Sequence, residues 1–151
     1  MSTPSPFAGA VSRLAAYLVD VVSIAALFAA GAVVLAFVTR VVTGYQLDLR
    51  GDRDLAGTGL VVWWFAYFVI SWSTVGATPG MTLFGLRVVQ PDGTSVGVAR
   101  AVVRALAFSL SLTLFGLGFL LILFQRQRRA LHDLVAGTAV IHVMRSAVEE
   151  V

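Results

Sequence analysis

Charged residues stand in this chain at positions where charge is costly. Arg13 and Asp20 lie at the start of a long apolar segment, and Asp133 lies near the C terminus. Arg13, Tyr17 and Asp20 follow one another at spacings of four and three, so on an α-helix they share one face. An ionised carboxylate at the middle of a membrane helix costs on the order of 2.5–3.5 kcal/mol. Asp20 must therefore be paired, neutral or beside water.

Two kinds of chemistry fit these residue types. Arg13 and Asp133 could form a bidentate ion pair, with Asp20 one or two helical turns deeper in the membrane. Such a charge network would act as a structural clamp that fixes how the helices pack. Alternatively, Asp20 could bind a proton or cation that crosses the membrane, as intramembrane carboxylates often do. Tyr17, Arg104 and His132 are candidate supporting residues. An aqueous path to Asp20 would indicate transport, whereas a dry and paired carboxylate would indicate a clamp.

Enzymatic chemistry is not indicated by the sequence. No G-x-S-x-G, H-E-x-x-H or phosphate-binding loop occurs in the chain. His132 and Asp133 are adjacent, so on a helix their side chains point in different directions. His132 and His142 are too few and too far apart for a metal site. We expect no catalytic residues, no metal and no cofactor.

The composition indicates a membrane protein. Hydrophobic residues make up 58% of the 151 residues and charged residues only 13%, against roughly 45–50% apolar residues in soluble domains. We expect one integral membrane domain over residues 1–151. The chain has no cysteine, which excludes disulfides and thiolate metal sites. A net charge of +3 fits the basic cytoplasmic surfaces of membrane proteins, and we expect no nucleic-acid partner.

Two segments are predicted to be full transmembrane helices. Residues 14–38 are apolar on every face, and residues 60–76 reach about 30 Å if the helix begins at Gly57. The tryptophans of the second segment lie towards both of its ends, as in aromatic belts. Residues 1–12 are predicted to be a flexible tail and residues 39–59 a solvated loop.

Residues 77–104 are expected to leave the bilayer on the cytoplasmic side. LRVV at 86–89 is typical of a short strand, and QPDG at 90–93 is typical of a turn, so residues 86–96 are predicted to form a β-hairpin. AVIHV at 139–143 is short and β-branched, and it is the predicted third strand.

A helix and a third apolar segment follow the predicted hairpin. From Gly97 the pattern predicts an amphipathic surface helix with Arg100 and Arg104 at the level of the lipid phosphates. Residues 105–124 are long enough for a full span, but Gly116-Leu117-Gly118 would also permit a re-entrant hairpin.

Arginine positions favour the re-entrant alternative. If residues 105–124 enter and return, then the N terminus, residues 77–104 and the basic tail 126–151 share one side, with eight of the eleven arginines. Three full spans would divide the arginines four against seven. The positive-inside rule favours the more uneven division. A re-entrant backbone must be buried in protein, so we expect a homo-oligomer or a larger membrane complex.

Three stretches, taken in order, resemble a known family. Arg13 with Asp20, then GATPGMTLFGLRVVQPDG at 76–93, then RQRRALHDLVAGTAVIHV at 126–143, resemble the RDD family of small integral membrane proteins. The family is named for one arginine and two aspartates, which by resemblance are Arg13, Asp20 and Asp133. The resemblance implies a largely uncharacterised family for which transport of ions or small ligands has been suggested, without an established enzyme activity.

Two functions therefore remain open at the level of sequence. The chain could transport an ion or small ligand, with Asp20 as the coupling carboxylate and Arg13 and Asp133 controlling its ionisation. It could instead be a non-catalytic accessory or assembly subunit of a larger membrane complex. In both cases we expect a multi-pass protein of the plasma membrane, in contact with the lipid bilayer and with a cytoplasmic N terminus.

Overall fold

Two long helices dominate the computed structural model, which describes residues 8–46, 53–113 and 129–143. Helix α1 is Ala10–Thr43 and helix α2 is Arg53–Thr74. Both are long and apolar enough to cross a membrane, and at 1.5 Å per residue α1 measures about 51 Å.

Both helices extend into the region predicted to be the loop 39–59. Helix α1 continues until Gly44, which adopts the left-handed conformation with φ 71°. No glycine or proline precedes Gly44 in this region, so the helix has no reason to end earlier. Both predicted spans are therefore long apolar helices, as expected, but the predicted bounds were too short at the end near Thr43 and Arg53.

The two helices bury their side chains mainly at one end. The buried residues of α1 all fall in its first half, at Arg13, Ala16, Asp20 and Ile24, which is the i, i+3, i+4 spacing of one helix face. Those of α2 fall in its second half, at Tyr67, Phe68 and Trp72. The helices are antiparallel, so these two halves lie side by side. We call this the sheet end of the molecule, and the opposite end, near Thr43 and Arg53, the far end.

A short third helix turns the chain across the sheet end. Helix α3, Pro79–Leu83, begins at Thr78, whose side-chain oxygen accepts a hydrogen bond of 3.1 Å from the backbone N–H of Met81. Threonine at the N-cap followed by proline at the first helical position is a favoured helix start.

A two-stranded antiparallel sheet covers the same end. Strand β1, Leu86–Val89, pairs with strand β2, Ala139–His142, in the register Leu86 to His142 and Val89 to Ala139. The predicted pairing of these two segments is confirmed. The predicted hairpin over residues 86–96 is wrong, because residues 94–97 form no strand. The turn does form, with a hydrogen bond of 2.9 Å from the N–H of Gly93 to the carbonyl of Gln90. The apolar strand β2 is a better pairing partner for β1 than the more polar segment 94–97 that follows the turn.

The remaining helices are α4, Val98–Thr113, and α5, Leu131–Val135. Phe108 of α4 packs against the aromatic rings of both long helices, with ring centroids 5.5 Å from Tyr17 and 5.6 Å from Trp64. Arg100 is exposed, but Arg104 is buried. This corrects the prediction that both arginines lie at the lipid phosphates.

The strand pairing places the chain before α4 and the chain after α5 at the same end of the molecule. Residues 114–128, which include most of the predicted re-entrant turn, lie outside the described residues, as do the tail up to residue 7 and the acidic part of the first loop.

Candidate functional site

One carboxylate joins three helices at the sheet end. Asp133 of α5 is fully buried. Its Oδ2 accepts a hydrogen bond from Nη1 of Arg13 on α1, and its Oδ1 accepts one from Nη1 of Arg104 on α4. The same Nη1 of Arg104 donates to the hydroxyl of Thr138 at 2.7 Å. We call Arg13, Arg104, Asp133 and Thr138 the Asp133 cluster.

Local structure holds Asp133 in place. It occupies the third position of α5, and its Oδ2 accepts a hydrogen bond of 3.0 Å from the N–H of Ala130, the residue before the helix. This reach from the third position back to the N-cap is one half of a capping box. The carboxylate thereby starts α5 and binds both arginines at once.

The charges of the Asp133 cluster do not cancel. Burial alone would favour the neutral acid, but the positive charges of Arg104 and Arg13 hold the pKa of Asp133 well below its usual range. Burial lowers the pKa of the neighbouring His132 to about 3, so its imidazole is neutral at pH 7. Its Nε2 lies 3.6 Å from Oδ1 of Asp133. Two guanidinium groups therefore face one carboxylate, a net charge of +1 in a buried site.

The second carboxylate, Asp20, is bound by neutral donors. Its Oδ1 accepts hydrogen bonds of 2.8 Å from the hydroxyl of Tyr67 and 2.8 Å from the N–H of Gly80, and its Oδ2 accepts one of 2.6 Å from the hydroxyl of Thr78. Asp20 is only 2% exposed. We call Asp20, Tyr67, Thr78 and Gly80 the Asp20 cluster. It joins α1 to α2 and to the start of α3.

Gly80 is required for this close approach. A Cβ atom at this position would overlap the backbone oxygen of Ala16 and lie 2.8 Å from Oδ1 of Asp20. Any side chain would push α3 away from α1 and lengthen the hydrogen bonds to the carboxylate. In the Thr78-Pro79-Gly80 sequence, Thr78 thus caps helix α3, Pro79 starts it, and Gly80 allows α3 to contact α1 because it has no side chain.

A small cavity of about 30 Å³ lies between the two clusters. Its wall includes Arg13, Asp20 and Arg104. Trp72 also lines it, and the guanidinium carbon of Arg104 lies 4.6 Å from the centre of the Trp72 ring, a favourable cation–π distance.

Five of the six residues singled out from the sequence line this cavity, namely Arg13, Tyr17, Asp20, Arg104 and His132, and the sixth, Asp133, contacts two of them. Arg13 and Asp133 form an ion pair, and Arg104 joins them. His132 packs edge-on against Phe108, as does Tyr17. Asp20 instead has Tyr67, Thr78 and Gly80 as its hydrogen-bond donors.

Sequence reasoning missed five of the contacting residues, namely Tyr67, Trp72, Thr78, Gly80 and Thr138. Thr78 carried a usable signal, because threonine before Pro79 is a helix N-cap pattern. The two aromatic residues carried none, since aromatic residues at helix ends also fit a membrane-interface belt. Within the three described ranges, no group of three histidine or acidic side chains lies close enough to hold a metal ion.

Two curated proteins are similar to parts of this chain. Protein FAM8A1 of Homo sapiens is 33% identical over 91 residues, which cover 51% of this chain and 22% of that protein. Uncharacterized protein YxaI of Bacillus subtilis (strain 168) is 33% identical over 76 residues, covering 50% of each. The chain thus spans half or less of the length of these relatives. No solved structure matches it. The family model for the RDD family matches residues 7–137, so the chain, with its apolar helices and its Arg13, Asp20 and Asp133, belongs to the RDD family of membrane proteins.

Proposed function

We propose that this protein is a non-catalytic accessory or assembly subunit of a membrane complex, and that its buried charges are a structural clamp. The observation that carries the proposal is the environment of Asp20. Three neutral donors of the protein engage both oxygens of the carboxylate, and 2% of the residue is exposed. A carboxylate that couples to transport needs an aqueous path, whereas this one is closed to bulk water.

The Asp133 cluster supports the same role. One carboxylate is engaged by side chains from α1 and α4 and by the backbone at the start of α5. A buried ion pair of this kind contributes less to net stability than to the choice of one packing arrangement. Neutral His132 is packed against Phe108 and adds to the buried contacts around the cluster.

The far half of the two long helices supplies a surface for a partner. A groove of about 460 Å³ runs between them, and no charged side chain lines it. Small residues on both helices open the groove at Gly31, Ala32, Ala56 and Gly59. Small residues allow two membrane helices to approach closely. We therefore infer that the occupant is an apolar transmembrane helix of another subunit or of a second copy.

Photocrosslinking tests the assembly role. A photoreactive residue replaces Val62, which lines the groove, and in a matched control it replaces Val22, an exposed position near the sheet end. We expect one protein adduct of defined mass from position 62 in native membranes, and lipid adducts alone from position 22. Lipid adducts alone at both positions would contradict the proposal.

We further propose that the sheet end faces the cytoplasm and that residues 105–124 enter the membrane and return. The pairing of β1 with β2 supports this topology, because it brings residues 86–89 and 139–142 to one end. Arginines at 13, 87, 100, 104 and 129 also fall at this end, against Arg40 and Arg53 at the far end.

Cysteine labelling tests the orientation, since the chain has no cysteine of its own. Val11, Val98 and Val143 are exposed at the sheet end, and Tyr45 is exposed at the far end. In intact cells a membrane-impermeant maleimide should label a cysteine at 45 and spare cysteines at 11, 98 and 143. Labelling at 143 without labelling at 11 would overturn the re-entrant topology.

A second candidate function is proton or ion handling at Asp20. The cavity favours it, because it places an open space beside Asp20, a carboxyl group within α1. In proteoliposomes the wild type should then carry a cation or proton flux that Asp20→Asn abolishes. Tyr67→Phe is the matched control, since it alters the same cluster but retains the carboxylate. Equal flux in wild type and Asp20→Asn would reject this candidate.

A further inference from the structure

The cavity between the Asp20 and Asp133 clusters has the size of a site for very small ligands. Its volume of about 30 Å³ corresponds to one or two water molecules, since a water needs about 10–15 Å³ of such space. Its wall is mainly apolar, and the charged and polar residues that reach it include Arg13, Arg104, Asp20 and Thr78.

Two buried donors beside this cavity lack a protein partner. Nε1 of Trp72 and Nε of Arg104 make no hydrogen bond to any residue of the described ranges. Trp72 is 2% exposed and Arg104 is 1% exposed. Both residues line the cavity, and burying an N–H group without an acceptor is unfavourable. A ligand in the cavity must therefore accept hydrogen bonds.

Asp20, which also lines the cavity, can accept one hydrogen bond in return. A carboxylate oxygen has two acceptor sites. Oδ1 of Asp20 already accepts from Tyr67 and Gly80, but Oδ2 accepts only from Thr78. One site on Oδ2 remains for a donor. The ligand must therefore both accept from the two N–H groups and donate to the carboxylate.

Ions do not fit these requirements. A cation in the cavity would lie beside the two guanidinium groups of Arg13 and Arg104, and an anion would lie beside the carboxylate of Asp20. The cation would meet two buried charges of its own sign in a low-dielectric site, and the anion would have no hydrogen to donate to Oδ2 of Asp20. Water carries no net charge and has two donor and two acceptor sites.

We propose that the cavity is a structural water site, in which one or two water molecules accept from Trp72 Nε1 and Arg104 Nε and donate to Asp20 Oδ2. The water connects the two clusters into a single hydrogen-bonded unit. Asp20 then lies across the water from the net charge of +1 in the Asp133 cluster.

The three tryptophans of the chain provide the test. The protein, labelled with ¹⁵N at the indole nitrogens and held in lipid nanodiscs, should give three indole N–H signals, from Trp63, Trp64 and Trp72. Trp→Phe variants at 63 and 64 assign the third signal without altering Trp72. We expect a cross-peak to water at Trp72. Trp63 is the internal control, because its Nε1 donates to the backbone oxygen of Ile24 at 3.3 Å, and we expect no such peak there.

Replacing the salt distinguishes water from an ion. We expect the Trp72 indole signal to keep its position when sodium chloride is replaced by sodium bromide, sodium gluconate or potassium chloride. A shift with bromide or gluconate would show that a halide occupies the cavity, and a shift with potassium would show a cation. Either shift, or the lack of a water cross-peak at Trp72, would overturn the proposal.

Discussion

The sheet end and the far half of the two long helices obey different physical requirements. At the sheet end, buried Asp133 and Asp20 each accept several hydrogen bonds, and Gly80 touches the backbone of Ala16. In the far half, apolar side chains are exposed, and a Cβ atom added at Gly31 or Gly57 would meet no other atom within 4 Å. The structure of the sheet end depends on individual atomic contacts, whereas that of the far half depends mainly on the length and hydrophobicity of the helices.

The difference follows from the surroundings of each region. Buried polar groups in a low-dielectric interior need defined partners, since an unpaired one is expensive. Apolar side chains facing lipid need none, because lipid tails are as apolar as leucine. Substitutions should therefore be costly at the sheet end and mild in the far half. Four experiments test this contrast, in order of expected effect.

Asp133→Asn should have the largest effect. It leaves two buried guanidinium groups without their shared carboxylate, which we expect to lower the free energy of unfolding by about 3–5 kcal/mol. Thermal unfolding in detergent, followed by tryptophan fluorescence, measures the loss. Asp54→Asn, at an exposed position of the far end, is the control and should change stability by less than about 0.5 kcal/mol. Similar losses in the two variants would abolish the contrast.

Gly80→Ala should come next. The added methyl group would overlap the backbone oxygen of Ala16, and we expect a loss of about 3 kcal/mol from overpacking. Gly57→Ala is matched to it, since nothing lies within 4 Å of its Cβ position. The control should gain up to about 1 kcal/mol from better helix propensity. Equal stability of the two variants in the same unfolding assay would contradict the close packing of α3.

Acid should weaken the sheet end through His132. Its pKa is lowered by burial to about 3 from 6.5, so between these values the unfolded chain binds a proton that the folded chain does not. Stability therefore falls as pH falls, by about 2 kcal/mol between pH 7 and pH 5.

His132→Gln should remove this part of the pH dependence, whereas His142→Gln, at a half-exposed site on β2, should retain it. Unfolding measured at both pH values checks the difference. Unchanged pH dependence in His132→Gln would show that another group is responsible.

Tyr67→Phe should have the smallest effect of the four. It removes one of three hydrogen bonds to Asp20, while Oδ1 still accepts from Gly80. We expect a loss of about 1 kcal/mol. Tyr45→Phe alters a tyrosine that is 64% exposed beyond α1, and it should leave stability unchanged. A larger loss at Tyr45 than at Tyr67 would reverse the contrast.

Much of the fold could be predicted from local patterns. The two long helices followed from apolar length, and the pairing of LRVV with AVIHV followed from β-branched composition. The hairpin over residues 86–96 was mispredicted, because a favourable turn does not ensure that the segment after it pairs with the strand before it. Another segment, here β2, can be the better pairing partner of β1. Arg104 was assigned to the surface because helical spacing alone does not reveal a carboxylate on another helix.

The sequence by itself determined that the chain is typical of a membrane protein, that two of its segments are apolar enough to span a bilayer, and that Arg13, Asp20 and Asp133 are unusual. These conclusions depend on transfer energies and spacing, which are local properties of the chain. Only the tertiary structure decided that Asp133 binds Arg13 and Arg104, and that Tyr67, Thr78 and Gly80 bind Asp20. Hydrogen-bond partners depend on how helices rotate and cross, and contacts between residues far apart in sequence set that arrangement.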